Sequence, residues 1–242
     1  VLPQDITGMN MYNPKTQNFE LRIGPVDTNI LLADEINRAT PRTQSALLEV
    51  MEERQVTIDG HEVKLDDIFI VLATQNPIES KQGTFDLPEA QMDRFLMKIT
   101  LGYPNRQDEL KMMDMHRQQD KLQVEAVFTR EDILHLRSEA AKIRINDTVK
   151  EYIVNLVQRT RDHKHIALGV SPRGTLGLMR AAMGHALINE RAYVTPEDVK
   201  KVAPYVLTHR LVLNIEGMTL TTGHQLIEEI LNEVAVPVEY GV

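Results

Sequence analysis

At 242 residues the chain is long enough for a sizeable core and for one or two domains. Its 27 Lys and Arg against 35 Asp and Glu give a net charge of −8, which argues against a nucleic-acid binder relying on bulk charge but leaves a local basic groove open. No cysteine is present, so disulfide frameworks and thiolate chemistry are excluded, and a reducing cytosol is compatible with the composition. No apolar stretch approaches the roughly 20 residues needed to span a bilayer, and no secretory signal is visible. The first residue is Val1 rather than Met, so the expectation is of a removed start or a fragment.

Residues 1 to 26 read as extended pieces joined by turns. Ile6-Thr7-Gly8 leads to a polar loop at Asn13-Pro14-Lys15, and Asn18 to Ile23 alternates with period two before Gly24-Pro25, which suggests a β-hairpin or two short strands. Next comes Asn29-Ile30-Leu31-Leu32-Ala33-Asp34-Glu35-Ile36-Asn37-Arg38, an apolar run ending in two adjacent carboxylates. Such a run suits a strand buried on both faces of a parallel sheet, with Asp34 and Glu35 emerging at the carboxyl end where ligands sit in open α/β folds. There Asp34 suits a Mg²⁺ ion carried by a nucleotide and Glu35 an attacking water. The plainer alternative is a strand-to-helix turn with two exposed acids.

Thr40-Pro41 opens a helix with Thr40 as N-cap, and Leu47, Leu48 and Met51 form its apolar stripe. Asp59-Gly60 between Val56, Ile58 and Val63 signals a hairpin. Ile68 to Ala73 is a second buried-strand run, ending at Thr74-Gln75-Asn76-Pro77, and a further strand is expected from Phe95 to Leu101. From Asn105 the pattern turns helical. Thr129 with Asp132 resembles a capping box, Asp147 to Arg161 carries apolar residues at helical spacing, and Ser171-Pro172 and Thr195-Pro196 each start a helix. A last helix is expected from Thr222 to Val234. The division therefore falls near Pro104: an α/β part over 1–104 and a helical part over 105–242.

Several side chains stand out, each with two readings. Asn76 either orients a water or γ-phosphate by hydrogen bonding or is a turn residue before Pro77. Arg94 offers a planar fork suited to phosphate oxygens, or else pairs with Asp93 or Glu89. Arg173 lies in a first helical turn, where the dipole disfavours a structural cation, so it either reaches an anion or makes a surface salt bridge. His163-Lys164-His165, near Arg159 and Arg161, reads as a solvated loop without a metal-ligand set. Met112, Met113 and Met115 are expected to fill or edge the core of a helix.

Taken together, Ile30 to Ala39, Thr43-Gln-Ser-Ala-Leu-Leu-Glu49, Leu72 to Pro77, Leu87-Pro-Glu-Ala-Gln-Met-Asp-Arg-Phe95 and Gly169-Val-Ser-Pro-Arg173 resemble the AAA+ ATPases of the MoxR family, in order and over essentially the whole chain. The resemblance implies a partial P-loop-type α/β fold with β-hairpin inserts, followed by an all-α lid. By it, Asp34 and Glu35 are the Walker B pair, Asn76 is sensor 1, Arg94 the arginine finger and Arg173 sensor 2. The first hairpin resembles the helix-2 insert, and the Gln55 to Leu65 hairpin the pre-sensor-1 hairpin. ATP and Mg²⁺ are the implied cofactors. A homo-oligomeric, hexameric ring, chaperone-like remodelling or maturation of protein complexes, von Willebrand factor A-domain partners, client proteins and a cytoplasmic setting are implied likewise. One departure matters: no G-x-x-x-x-G-K-[ST] motif occurs in these residues, so phosphate binding is expected to need a longer parent protein, and the chain alone is expected to be inactive. A non-catalytic ring or adaptor module is the alternative. A nucleic-acid motor is a further one, disfavoured by the acidic balance.

Overall fold

The structure, a computed structural model, describes residues 2–76, 83–118 and 125–238. It opens on a short helix, α1 (Pro3–Thr7), where the sequence suggests only extended pieces. Pro3 presets the first helical φ, and the Asp5 carboxylate accepts from the Leu2 amide at 2.6 Å, which together close one turn. The expected hairpin follows as antiparallel β1 (Gly8–Asn13) and β2 (Asn18–Ile23).

β3 (Ile30–Ala33) leads through a 3₁₀ turn (Ile36–Arg38) into α2 (Pro41–Glu53), whose N-cap Thr40 accepts from the Thr43 amide. The hairpin β4 (Gln55–Ile58) and β5 (His61–Lys64) turns at Asp59 and Gly60, both with positive φ (49° and 83°), the backbone a two-residue hairpin loop of this hand demands. β6 (Ile70–Ala73) then pairs in parallel with β3, Ile30 opposite Ile70 and Ala33 opposite Ala73. The parallel sheet expected from the two apolar runs is present.

Its burial differs from the expectation. Alternate residues point to opposite faces, and α2 covers only one of them: Leu31, Val71, Ala33 and Ala73 pack against Val50, Leu47, Leu48 and Ile36. On the other face Ile30 and Leu32 are 61% and 63% exposed, with Ile70 and Leu72 beside them, because nothing among the described residues lies over that face. The strand expected from Phe95 to Leu101 is also not formed. After the short helix α3 (Glu89–Met92) this segment is irregular, and its backbone bonds run to the helical part: Lys98 N donates to Tyr205 O, and the carbonyls of Phe95 and Leu96 accept from Arg210. With those carbonyls engaged and no partner strand among the described residues, no ladder forms.

The remainder is helical: α4 (Arg106–Gln118), α5 (Arg130–Lys142), α6 (Asp147–Arg161), β7 (Ile166–Leu168), α7 (Pro172–Ile188), α8 (Pro196–Leu207), a 3₁₀ turn (Thr208–Arg210), β8 (Val212–Leu213), α9 (Ile215–Leu220) and α10 (Gly223–Glu233). The starts expected at Thr129, Ser171, Thr195 and Thr222 are the N-caps of α5, α7, α8 and α10. One continuous core joins α6, α7, α8 and α10 through Tyr152, Leu156, Leu178, Val206, Leu226 and Ile230. At its edge Asp198, fully buried, accepts from the Thr195 amide and from Arg191 and pairs with His185. Burial alone would raise its carboxyl, but these bonds outweigh it and hold the group at about 2.

Two smaller expectations are corrected here. Met112, Met113 and Met115 lie on α4 but are exposed, so they fill no core. His163 and His165 are buried, 3% and 9% exposed, with Lys164 outside between them: the chain turns just before β7, the Ile166 amide donating to the His163 carbonyl at 3.0 Å, and both imidazoles pack inward. Arg159 pairs with Glu233 at 2.8 Å and Arg161 donates to Val170 O, so neither stands in an open basic patch. Among the described residues no helix is long and apolar enough to cross a membrane.

Candidate functional site

β3 and β6 end side by side, so the residues that follow them leave the sheet at one edge. Asp34 and Glu35 follow Ala33; Thr74 and Asn76 follow Ala73, while Pro77, the last residue of that motif, lies outside the described residues. Thr74 joins the two chains. Its hydroxyl donates to Asp34 Oδ1 at 2.5 Å and accepts from the Glu35 amide at 2.9 Å, and its carbonyl accepts from the Ile36 amide at 3.0 Å. These bonds hold Glu35 in the left-handed region (φ 51°), which a non-glycine residue adopts at a cost of about 1–2 kcal/mol unless its surroundings fix it there. The Glu35 carboxylate meets Arg38 Nε at 3.1 Å. Asp34 and Asn76 are exposed.

This donor set fits a metal only in one way. No group of three His, Asp or Glu side chains converges among the described residues, so there is no all-protein cage. Mg²⁺ does not require one: it keeps waters and is held by one or two carboxylates together with substrate phosphates. An exposed Asp34 with the Thr74 hydroxyl on it suits that mode.

The two arginines lie elsewhere, and together. Arg94, just beyond α3, sets its Nε 2.9 Å from Glu52 Oε2, and Arg173, in the first turn of α7, donates to Glu52 Oε1. Neither Asp93 nor Glu89 is the partner of Arg94. Asp93 is engaged by the helical part instead: Ser171 Oγ donates to its Oδ2 at 2.8 Å and Arg210 Nε to its Oδ1 at 2.8 Å. Arg210, only 2% exposed at its side chain, also donates to the carbonyls of Asp93, Phe95, Leu96 and Val206. It reaches them beneath the start of α7 because residue 174 is glycine: a Cβ there would lie 2.3 Å from Val170 Cγ1 and 2.8 Å from Arg210 Cδ. Ser171, which caps α7 and binds Asp93, thus brings the first turn of α7, which carries Arg173, against the segment that carries Arg94.

Glu52 lies about three turns along α2 from Pro41, about 16 Å at 1.5 Å per residue. The five side chains singled out in the sequence therefore form two groups, the carboxylates and Asn76 at one end of α2 and the arginines at the other. Thr74, Glu52 and Arg210 escaped sequence reading. Thr74 sat inside a recognised motif without a role, Glu52 is one acid in an acid-rich helix end, and nothing local marks Arg210.

Comparison with known proteins accords with this architecture. The sequence pattern of the ATPase family associated with various cellular activities (AAA) matches residues 1–97, and that of the AAA lid domain matches residues 158–230, so the fold is that of an AAA ATPase core with its helical lid. A crystal structure of a candidate ATPase from Cytophaga hutchinsonii superimposes with a TM-score of 0.91 at 42% identity, over 98% of this chain and 75% of that one. The chain is 48% identical to the uncharacterized protein YeaC of Bacillus subtilis, over 99% of its own length and 75% of that protein's. It is 40% identical to the chaperone MoxR1 of Mycobacterium tuberculosis, over 98% of its own length and 65% of that protein's. The chain belongs to the MoxR family of AAA+ ATPases.

Proposed function

We propose that these residues supply the Walker B, sensor and lid parts of an ATPase that binds and hydrolyses ATP at the interfaces of a hexameric ring, driving chaperone-like remodelling or maturation of protein complexes in the cytoplasm. The chain divides near Pro104 into core and lid. The observation that carries this reading is the separation of the two groups along α2. A phosphate held at the sheet edge of its own subunit would lie about a helix length from Arg94 and Arg173 of the same chain. The two guanidiniums are therefore available to the nucleotide of a neighbour.

In that arrangement Asp34 holds Mg²⁺, which neutralises phosphate charge when bound, and Glu35 orients and deprotonates the attacking water with Asn76 beside it. Arg94 and Arg173 stabilise the charge that spreads over the transferred phosphoryl oxygens. The phosphate cradle itself belongs to a longer protein, since residues 1–242 contain no P-loop motif. Client proteins and a von Willebrand factor A-domain protein are the proposed partners, on family resemblance.

The test uses the longer, P-loop-containing protein. Glu35→Gln is expected to bind ATP and not cleave it, and Arg94→Ala to keep ATP affinity while losing most turnover, as arginines supplied across interfaces contribute about 10³–10⁵ in rate in GTPases. Mixing the two variants restores part of the activity, because some interfaces then pair an intact Glu35 with an intact Arg94. No recovery at any mixing ratio, with rings still formed, removes Arg94 from catalysis. Purified residues 1–242 are expected to show no turnover above background; turnover abolished by Glu35→Gln would contradict that.

A further inference from the structure

Arg94 and Arg173 come from different elements, 79 positions apart in the sequence, yet both guanidiniums end on the two oxygens of one carboxylate. Two like charges drawn this close repel unless an anion lies between them. Glu52 is that anion in the structure. Glu49 and Glu53 line the same cleft beside Arg94, of about 400 Å³, but neither makes an ion pair with either arginine among the described contacts. The specificity for Glu52 is geometric: the last turn of α2 points it between α3 and the start of α7. Each guanidinium has five N–H groups; Arg173 donates one to Glu52 and Arg94 meets it as an ion pair, and among the described contacts no other partner engages either fork, which leaves room for a larger anion.

We propose that Glu52 is a positioning residue that assembles Arg94 and Arg173 into one anion-binding pair before any nucleotide phosphate arrives. The proposal rests on the reading that both arginines act on nucleotide phosphate. Because the three side chains are about one third to two fifths exposed, their ion pairs are individually weak. A terminal phosphate carrying more than one negative charge, offering three oxygens and arriving at an interface that excludes water, displaces the carboxylate and meets two arginines already side by side. Without Glu52 each arginine is ordered separately at the moment of reaction.

The consequence is that Arg94 and Arg173 act as a unit only while Glu52 is present, which a double-mutant cycle on steady-state turnover of the full-length protein reads directly. Arg94→Ala, Arg173→Ala and the double variant are measured in the native background and again with Glu52→Ala. In the native background the two losses are strongly non-additive. Glu52→Ala is expected to lower kcat on the order of tenfold to a hundredfold, a cost typical of lost orientation, with ATP affinity nearly unchanged and the coupling between the arginines gone. Glu52→Gln, which keeps the side-chain volume and one accepting oxygen, is expected to lie between. Glu53→Ala, in the same cleft, is expected to match the native protein. Unfolding midpoints of all variants separate these effects from loss of structure. If Glu52→Ala and Glu52→Gln leave kcat and coupling intact while either arginine substitution still abolishes turnover, Glu52 has no positioning role and the catalytic reading survives. If Arg94→Ala and Arg173→Ala both keep full turnover with rings formed, that reading fails and this proposal with it.

Discussion

Asp34 and Glu35 stand at the open end of a two-stranded sheet, held by one threonine hydroxyl, which donates to Asp34 and accepts from the Glu35 amide, and by an exposed pair of Glu35 with Arg38. Arg94, by contrast, follows an aspartate gripped from the helical part by a buried arginine and by the cap of α7. On the proposed reading the carboxylates need few protein supports, because Mg²⁺ keeps several waters of its own and takes only one or two carboxylates. A guanidinium reaching toward an anion on another surface has no such help. Its position must come from the fold, and burying its anchor in the seam between the two parts provides that. The two ends of α2 therefore respond differently when their supports are removed.

The largest effect is expected at the arginine end. Asp93→Ala leaves Arg210 buried with only carbonyls and the His209 ring as partners, and removal of one member of a buried ion pair typically costs about 3–5 kcal/mol. Urea unfolding of the variant measures it. A loss below about 1 kcal/mol would mean the seam is held by packing alone and that the contrast with the sheet edge is one of exposure only.

A smaller effect at the same seam comes from pH. His209, between Arg210 and the Phe95 carbonyl, is pushed down to about 4, chiefly by burial and then by the Arg210 charge, with Lys98 acting in the same direction and the Phe95 hydrogen bond and Asp93 opposing. The unfolded chain takes up a proton on this ring near pH 6.5. Between about 6.5 and 4 the unfolded state thus binds a proton that the folded state refuses, and stability falls as the pH drops through that window. Urea midpoints measured across it are expected to decline, and His209→Gln to flatten the slope. An unchanged slope would place the acid sensitivity elsewhere.

Local signals explain what was legible in the sequence. The two apolar runs, Thr40-Pro41, Asp59-Gly60 and the four helix caps of the helical part are each decided within a few residues, and each forms where expected. Long-range choices were not legible. Arg210 meets Asp93 across 117 positions, and its burial depends on Gly174, whose missing Cβ has meaning only once α7 is packed. Phe95 to Leu101 has strand composition, but its first two carbonyls go to that same arginine. The burial of His163 and His165 was not legible either, because the turn that carries them meets Gly217 of α9 and Glu229 of α10 only in the folded chain. Asp34 and Glu35 could be found because they end an apolar run; Thr74 could not, because its role exists only when β6 lies beside β3.

The smallest effect, and the most selective, belongs to Thr74. Its hydroxyl touches both halves of the carboxylate pair, donating to Asp34 and accepting from the amide of Glu35, which sits at a φ that a glutamate does not favour. Thr74→Val keeps the volume and removes both bonds. Since the site is exposed and water can replace the lost partners, the expected cost in stability is about 1 kcal/mol or less. The functional cost falls on placement: the Asp34 carboxylate loses its tether and the Glu35 backbone loses one of the bonds that hold its turn. In the P-loop-containing protein the variant is expected to need severalfold more Mg²⁺ for half-maximal turnover, on the order of the one or two hydrogen bonds removed. Ring formation and the coupling between Arg94 and Arg173, a helix length away, should not change. Thr74→Ser, which restores the hydroxyl, is expected to return the native Mg²⁺ dependence. A native Mg²⁺ dependence in Thr74→Val would show that the carboxylate edge is ordered by its cation rather than by the sheet. A loss of arginine coupling in the same variant would show that the two ends of α2 are not independent.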